Sequence, residues 1–182
     1  VLVWIDLEMT GLDDDVDHIL EIAAIVTDGN LNVLDEGVEI VIHQPAEVLA
    51  LMGKTVSEMH ARSGLTKAVR GSQVGLKQAE EQVLDYIKRH LPKPMSSPLC
   101  GNSVHTDRRF LRKWMPDIEA HLHYRVVDVT SVRLLAQLWL PAVEKKRPHK
   151  EESHRALDDI LESIKELRFY KEHLFFLKEL PS

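Results

Sequence analysis

The stretch V-L-V-W-I-D-L-E-M-T-G-L, Val1 to Leu12, decides how the rest of the chain is read. Val1 to Ile5 is a continuous apolar run rich in β-branched and aromatic side chains, the pattern of a strand buried on both faces, so it is expected at the centre of a sheet. Asp6 and Glu8 follow two apart, and strand periodicity points both carboxylates to one side while Leu7 points to the other. Two acids on one face repel unless one is protonated or a cation lies between them, and hard divalent cations prefer carboxylate oxygens. Taken alone, so short a motif reads as a solvated exit from a strand. A metal site needs partners from later in the chain.

Outward from that strand, the turn Thr10-Gly11-Leu12-Asp13 leads to Ile19–Thr27, rich in Ile, Val and Ala, and Asp28-Gly29-Asn30 is a hairpin signal. Residues 31–42 alternate loosely with Val38, Ile40 and Ile42 on one side, which completes an antiparallel meander of three strands. Helical stretches follow at 46–52, at 56–61 (closed by Ser63-Gly64) and at 75–90, where Leu76, Ala79, Val83, Leu84 and Ile87 form the apolar stripe. Short strands at 98–102 and 125–129 alternate with helices at 106–114 and 131–140. Residues 141–152, polar and flanked by proline, read as a mobile loop. A last helix is expected from Ser153 or His154, with Leu157, Ile160, Leu161, Ile164 and Leu167 as its core stripe. The order implies an α/β fold: a mixed five-stranded sheet, antiparallel meander then parallel strands, with helices on both faces. Ligands in such folds gather beyond the ends of the central strands, where Asp6 and Glu8 stand.

The totals suit one globular domain over residues 1–182: 44% of residues are hydrophobic and 29% charged. A net charge of −6 gives the surface no general attraction for long polyanions, so a phosphate-bearing substrate needs a local device such as a metal held by acids. Cys100 is the sole cysteine, which excludes an internal disulfide and favours a reducing compartment. No apolar stretch approaches the length of a membrane span. The sequence starts at Val1, already inside the first strand and without Met, which reads as a trimmed chain.

Two further places carry chemistry. Asp107 lies in G-N-S-V-H-T-D-R-R-F-L, a strand end running into a helix, where its plain role is to favour the first helical turn. Ser103, just before it, suits a helix cap or a phosphate contact. Near the end, S-H-R-A-L-D-D places His154, Asp158 and Asp159 at a helix start; on an ideal helix Asp158 shares the face of His154 better than Asp159 does, and spacing leaves the choice open.

The ordered set W-I-D-L-E-M-T-G-L, G-N-S-V-H-T-D-R-R-F-L, H-Y-R-V-V-D-V and S-H-R-A-L-D-D-I resembles the DEDDh 3′-to-5′ exonucleases of the ribonuclease H-like superfamily, and within them the oligoribonuclease family, nearly end to end. The resemblance implies that Asp6, Glu8, Asp107 and Asp159 hold two divalent cations, Mg²⁺ or Mn²⁺, and that His154 is the general base. It implies that a Leu matching Leu12 wedges two bases apart, that Ser103, Tyr124, Arg125 and Thr130 cap the terminal phosphate, and that His60 lies near the nucleotide. It further implies a homodimer in which Tyr124 reaches the partner's site, a short single-stranded RNA as substrate, and an intracellular location, cytoplasmic or mitochondrial. One position departs from the pattern: Thr55 stands where the family has a Trp that packs on a base. The nearest rival is a DEDDh enzyme that trims DNA or long RNA; a rival of another class is a nucleic-acid-binding protein without turnover. The Gly53-Lys54-Thr55 triplet lacks the upstream glycine of a phosphate-binding loop, and the basic run Lys145 to Lys150 reads as a solvated loop.

Overall fold

The computed structural model describes residues 1–148 and 154–174. Its sheet has the order β3-β2-β1-β4-β5, with β1 (Leu2–Met9) at the centre, β2 (Ile19–Thr27) and β3 (Val38–Val41) antiparallel on one side, and β4 (Pro98–Gly101) and β5 (His123–Asp128) parallel on the other. This is the mixed five-stranded sheet expected from the sequence. The apolar opening of β1 is central because both its faces are covered. Val3, Ile5 and Leu7 pack with α4 (Leu76–His90), α5 (His105–Trp114) and α6 (Pro116–His121). Trp4, on the opposite face, packs with α7 (Val129–Trp139) and α9 (Ala156–Leu174). Trp4 also donates its indole N–H to Thr27 Oγ1 at 3.0 Å, which satisfies the one polar atom that this burial would strand. Three short helices, α1 (Ala46–Leu49), α2 (Lys54–Arg62) and α3 (Leu65–Gly71), close the end of the meander. A last short helix, α8 (Pro141–Glu144), joins α7 to the segment before α9.

Several expected boundaries move, each for a local reason. The strand expected over 31–42 shrinks to β3, because Leu31 adopts φ 70° in a turn organised by Asp28, whose carboxylate accepts the N–H groups of Asn30 and Asn32. Val33 keeps one isolated bridge to Thr27. Helices α3 and α6 escaped the periodicity reading because seven and six residues are too few to show a stripe. Pro116 stands at the first turn of α6, where its missing N–H costs nothing. Residues 141–144 are helical where a mobile loop was expected: Pro141 again opens the helix, and Glu144 is held by the Tyr170 hydroxyl at 2.6 Å and by Arg147 Nε at 2.9 Å. Residues 149–152 of that expected loop, with His149 and Lys150 of the basic run, lie outside the described residues, as does Ser153. Helix α9 begins at Ala156, later than expected, and His154 precedes it with φ 50°.

Gly37 sits at the entrance of β3 with φ +78°, and a Cβ there would lie 2.7 Å from the Ala24 carbonyl oxygen. Both the left-handed backbone and the close approach exclude a side chain. Gly37→Ala is therefore expected to lower unfolding stability by about 1–3 kcal/mol, read as an earlier urea midpoint with an unchanged slope. An unchanged midpoint would contradict this reading of the turn.

Candidate active site

Past Trp4, the same face of β1 carries Asp6 and then Glu8, so the acids continue the surface on which α9 lies. Strand alternation alone explains why these two share a side and Leu7 does not. Glu8 is 8% exposed, and Asp159, in the first turn of α9, is 9% exposed. Among the described residues, Glu8, His154 and Asp159 form a group of potential metal ligands: each offers one ligand atom, and these atoms lie within 4.8 Å of one another. Asp158 is exposed and outside this group. The ideal-helix argument that favoured Asp158 does not apply, because His154 stands before the helix in a left-handed conformation rather than within it.

Asp107 approaches from the other side of the strand. Strand β4 pairs with β1 at Val3 and Trp4, and beyond that pairing Asp107 Oδ1 accepts the backbone N–H of Leu7 at 3.1 Å. Asp107 is thus tied to the residue between Asp6 and Glu8. Burial pushes its carboxyl up to about 7; the Leu7 N–H works against that shift, and the negative charge of Asp128 adds to it. Glu8, His154 and Asp159 offer the donors a hard divalent cation can take, with Asp107 outside that group; a cation bound close by would favour the ionised form of Asp107. The residues present therefore fit such an ion.

His60, in α2, is fully buried behind β1: Nε2 meets the Met9 carbonyl at 2.9 Å, and Nδ1 lies 3.8 Å from Glu8 Oε2 without a hydrogen bond. Burial holds its pKa below the ordinary imidazole value, opposed in part by the Met9 carbonyl. Thr55 is exposed in the first turn of the same helix. Leu12 is 69% exposed at the tip of a loop whose shape is fixed from below. Asp17 accepts from the Thr10 hydroxyl at 2.7 Å and the Asp13 N–H at 3.0 Å, and Arg109 of α5 donates to the Leu12 carbonyl at 3.0 Å.

Ser103 and Thr130, far apart in sequence, are brought together with their hydroxyl oxygens 3.2 Å apart. Ser103 does not cap α5; its N–H donates to Asp128 and to Thr130 Oγ1, while Asp128 caps α7 through the Thr130 N–H. Asn102 extends this pair inward: its Oδ1 accepts the Thr130 hydroxyl at 3.0 Å, and its Nδ2 donates to Ser163 of α9 at 2.7 Å. Tyr124 and Arg125 stand apart from that pair on exposed β5, where Arg108 Nη1 donates to the carbonyls of His123 and Tyr124 at 2.9 and 3.0 Å. Asn102, Asp128 and Arg108 lie inside the motifs that carry the resemblance but were given no role from the sequence, because their partners are distant in the chain and only the fold reveals their bonds.

A helix-faced mixed sheet with buried acids at the end of its central strand defines a nuclease-like class, and comparison with known proteins places the chain within it. The family model described as Exonuclease (RNase_T) matches residues 3–167. An oligoribonuclease of Nocardia farcinica is 50% identical over 182 residues, all of this chain and 84% of that protein. The human protein named "Oligoribonuclease, mitochondrial" is 50% identical over 174 residues, 96% of this chain and 73% of its own. Among solved structures, Pop2p of S. pombe in its Mg²⁺- and Mn²⁺-bound form superposes with a TM-score of 0.72 at 13% identity, over 96% of this chain and 84% of that one, a likeness of fold alone. The chain belongs to the exonuclease family, in its oligoribonuclease branch.

The raised pKa of Asp107 has a measurable sign. A carboxyl that titrates near 3.8 when unfolded and near 7 when folded makes the folded state bind more protons between those values, so its contribution to stability falls as pH rises through that window. Asp107→Asn removes this titration and keeps an acceptor for Leu7 N–H. In EDTA, the melting temperature of the variant relative to the parent should climb between about pH 4 and pH 7 and level off above. A difference independent of pH would contradict the burial of an ionisable Asp107.

Proposed function

We propose that this chain is one exonuclease domain, residues 1–182, that hydrolyses short oligoribonucleotides from the 3′ end, down to dinucleotides, and releases 5′-mononucleotides. The observation that carries this reading is the convergence of Glu8, His154 and Asp159 in a chain half identical, over its whole length, to proteins named oligoribonuclease. Asp6, Glu8, Asp107 and Asp159 would hold two divalent cations, Mg²⁺ or Mn²⁺, a choice consistent with the ions named for Pop2p. When bound, such a pair stabilises charge on the attacking and leaving oxygens of an in-line phosphoryl displacement.

The protein's own groups do the rest. His154, half-buried, takes the proton of the attacking water as the new P–O bond forms and the 3′ oxygen departs. Leu12, held outward by a braced loop, is the wedge between two bases. Ser103 and Thr130 present paired hydroxyls to the terminal phosphate, and Arg125 supplies positive charge. His60 lies beneath the site, behind Glu8. A pocket closed by a phosphate cap admits few nucleotides, which is why the substrate is short. Thr55 offers no aromatic face where the family has Trp, and stacking of that kind is typically worth about 1–3 kcal/mol per base.

The homodimer is supported by Tyr124, 66% exposed on β5, and by the exposed apolar side chains Leu134, Leu138 and Trp139 on neighbouring α7. A second copy packed there would bury these side chains and bring Tyr124 toward the partner's site. Among the described residues no helix is long and apolar enough to cross a membrane. We place the protein inside the cell, in the cytoplasm, the mitochondrion or both; the human relative is named mitochondrial.

The test is turnover of a 5′-labelled diribonucleotide in Mn²⁺. His154→Ala is expected to lose about 10²- to 10⁴-fold in kcat while still binding Mn²⁺, whereas Asp159→Asn loses both. Full activity in the His154 variant would overturn its assignment as the base.

A further inference from the structure

Strand β2 is buried along its whole length and is apolar at every position but two, and one of those two is Glu21, wholly buried at 0% exposure. Glu21 is the direct cross-strand partner of Glu8, on the face that carries the candidate site. A carboxylate placed out of water beside another one requires a cation or several hydrogen bonds. Arg155 supplies the cation: its Nε lies 3.0 and 3.2 Å from the two Glu21 oxygens, and its Nη2 lies 2.6 Å from Oε1. Glu21 Oε2 also accepts the N–H of Ala156, the first residue of α9, at 3.0 Å. Glu39, next door on β3, adds weaker contacts to Arg155 and to the Leu157 N–H, both at 3.4 Å. A strand carboxylate thus does what a helix cap would do. It fixes the two residues that follow His154.

His154 is held at φ 50°, a backbone region that side-chain-bearing residues seldom occupy and that persists only when the surroundings impose it. The body of α9 has its own anchors, Ile160 and Ile164 in the core, so loosening the clamp leaves the helix in place and frees the residue in front of it. We infer that Glu21 is a positioning residue for His154, acting through its bonds to Arg155 and Ala156, and that Glu21 and Arg155 together set the placement of the base. The inference rests on the reading of His154 as the general base. The same clamp neutralises Glu21, so that Glu8 faces a paired carboxylate across the ladder rather than a bare charge.

Glu21→Gln keeps the shape of the side chain and removes its charge. In the full chain, assayed on a 5′-labelled diribonucleotide with saturating Mn²⁺, kcat is expected to fall about 10- to 100-fold with KM little changed, as for a misplaced catalytic group. Mn²⁺ affinity measured by calorimetry should stay at the parent value. In a His154→Ala background the same substitution should cause no further loss, because its route of action is already gone. Arg155→Lys, partly exposed and still charged, should give the same signature by removing the bidentate fork, and it carries the test if the buried Gln variant fails to fold. Losses that multiply in the His154→Ala background, or a parallel fall in Mn²⁺ affinity, would overturn the inference while leaving the base assignment intact. A His154→Ala enzyme with full activity would overturn the base assignment and the inference with it.

Discussion

Carboxylates crowded out of water at the end of β1 are the constraint to which the rest of the structure answers. Glu8, Asp107 and Asp159 are each less than a tenth exposed, and Glu21 adds a fourth buried acid across the strand ladder. Like charges at such separations, away from bulk solvent, demand protons, cations or hydrogen bonds. Each acid meets that demand differently. Without a bound cation Asp107 takes the proton route, with its pKa pushed up to about 7. Glu21 takes the cation route through Arg155. Glu8 and Asp159 converge with His154, where an exogenous ion fits the donor set.

That division separates permanent neutralisation from a site kept for a ligand. Arg155 is built into the chain, so the Glu21 side of the ladder is settled when the protein folds. The Glu8 side, where Glu8 meets Asp159 and His154, is where a ligand fits. The neutral state favoured for buried His60 serves the same end: an imidazole that resists protonation behind Glu8 does not replace an incoming cation. The hydroxyl pair of Ser103 and Thr130 lies on the other flank, joined through Asn102 to Ser163, whose hydroxyl donates to the Asp159 carbonyl at 2.8 Å. Buried polar groups linked in this way hold one another in register, so the parts that would grip a phosphate and the helix that carries Asp159 share one scaffold.

Much of this was legible in the sequence because it follows from strand period and apolar patterning. The central place of β1, the shared face of Asp6 and Glu8, the inward side of Val38, Ile40 and Ile42, and the stripes of α4 and α9 all emerge from alternation or helical spacing. Short helices opened by proline, such as α6 and α8, did not, since a single turn carries no period. The choice between Asp158 and Asp159 was beyond helix geometry for a definite reason: the helix starts after His154, and the left-handed residue resets the count. Glu21 had a signal that went unread. A lone charge in the apolar run Ile19–Thr27 implies a partner, although only the fold names Arg155 as that partner.

The central claim is that the site is shaped for very short RNA, and a time course on 5′-labelled RNAs measures it most directly. A dinucleotide, a pentanucleotide and a strand of about twenty nucleotides, each with Mn²⁺ or EDTA and beside matched DNA, span the alternatives. The account expects fast, metal-dependent loss of the dinucleotide with the long strand nearly untouched. Preference for the long strand, or cleavage that persists in EDTA, would contradict it.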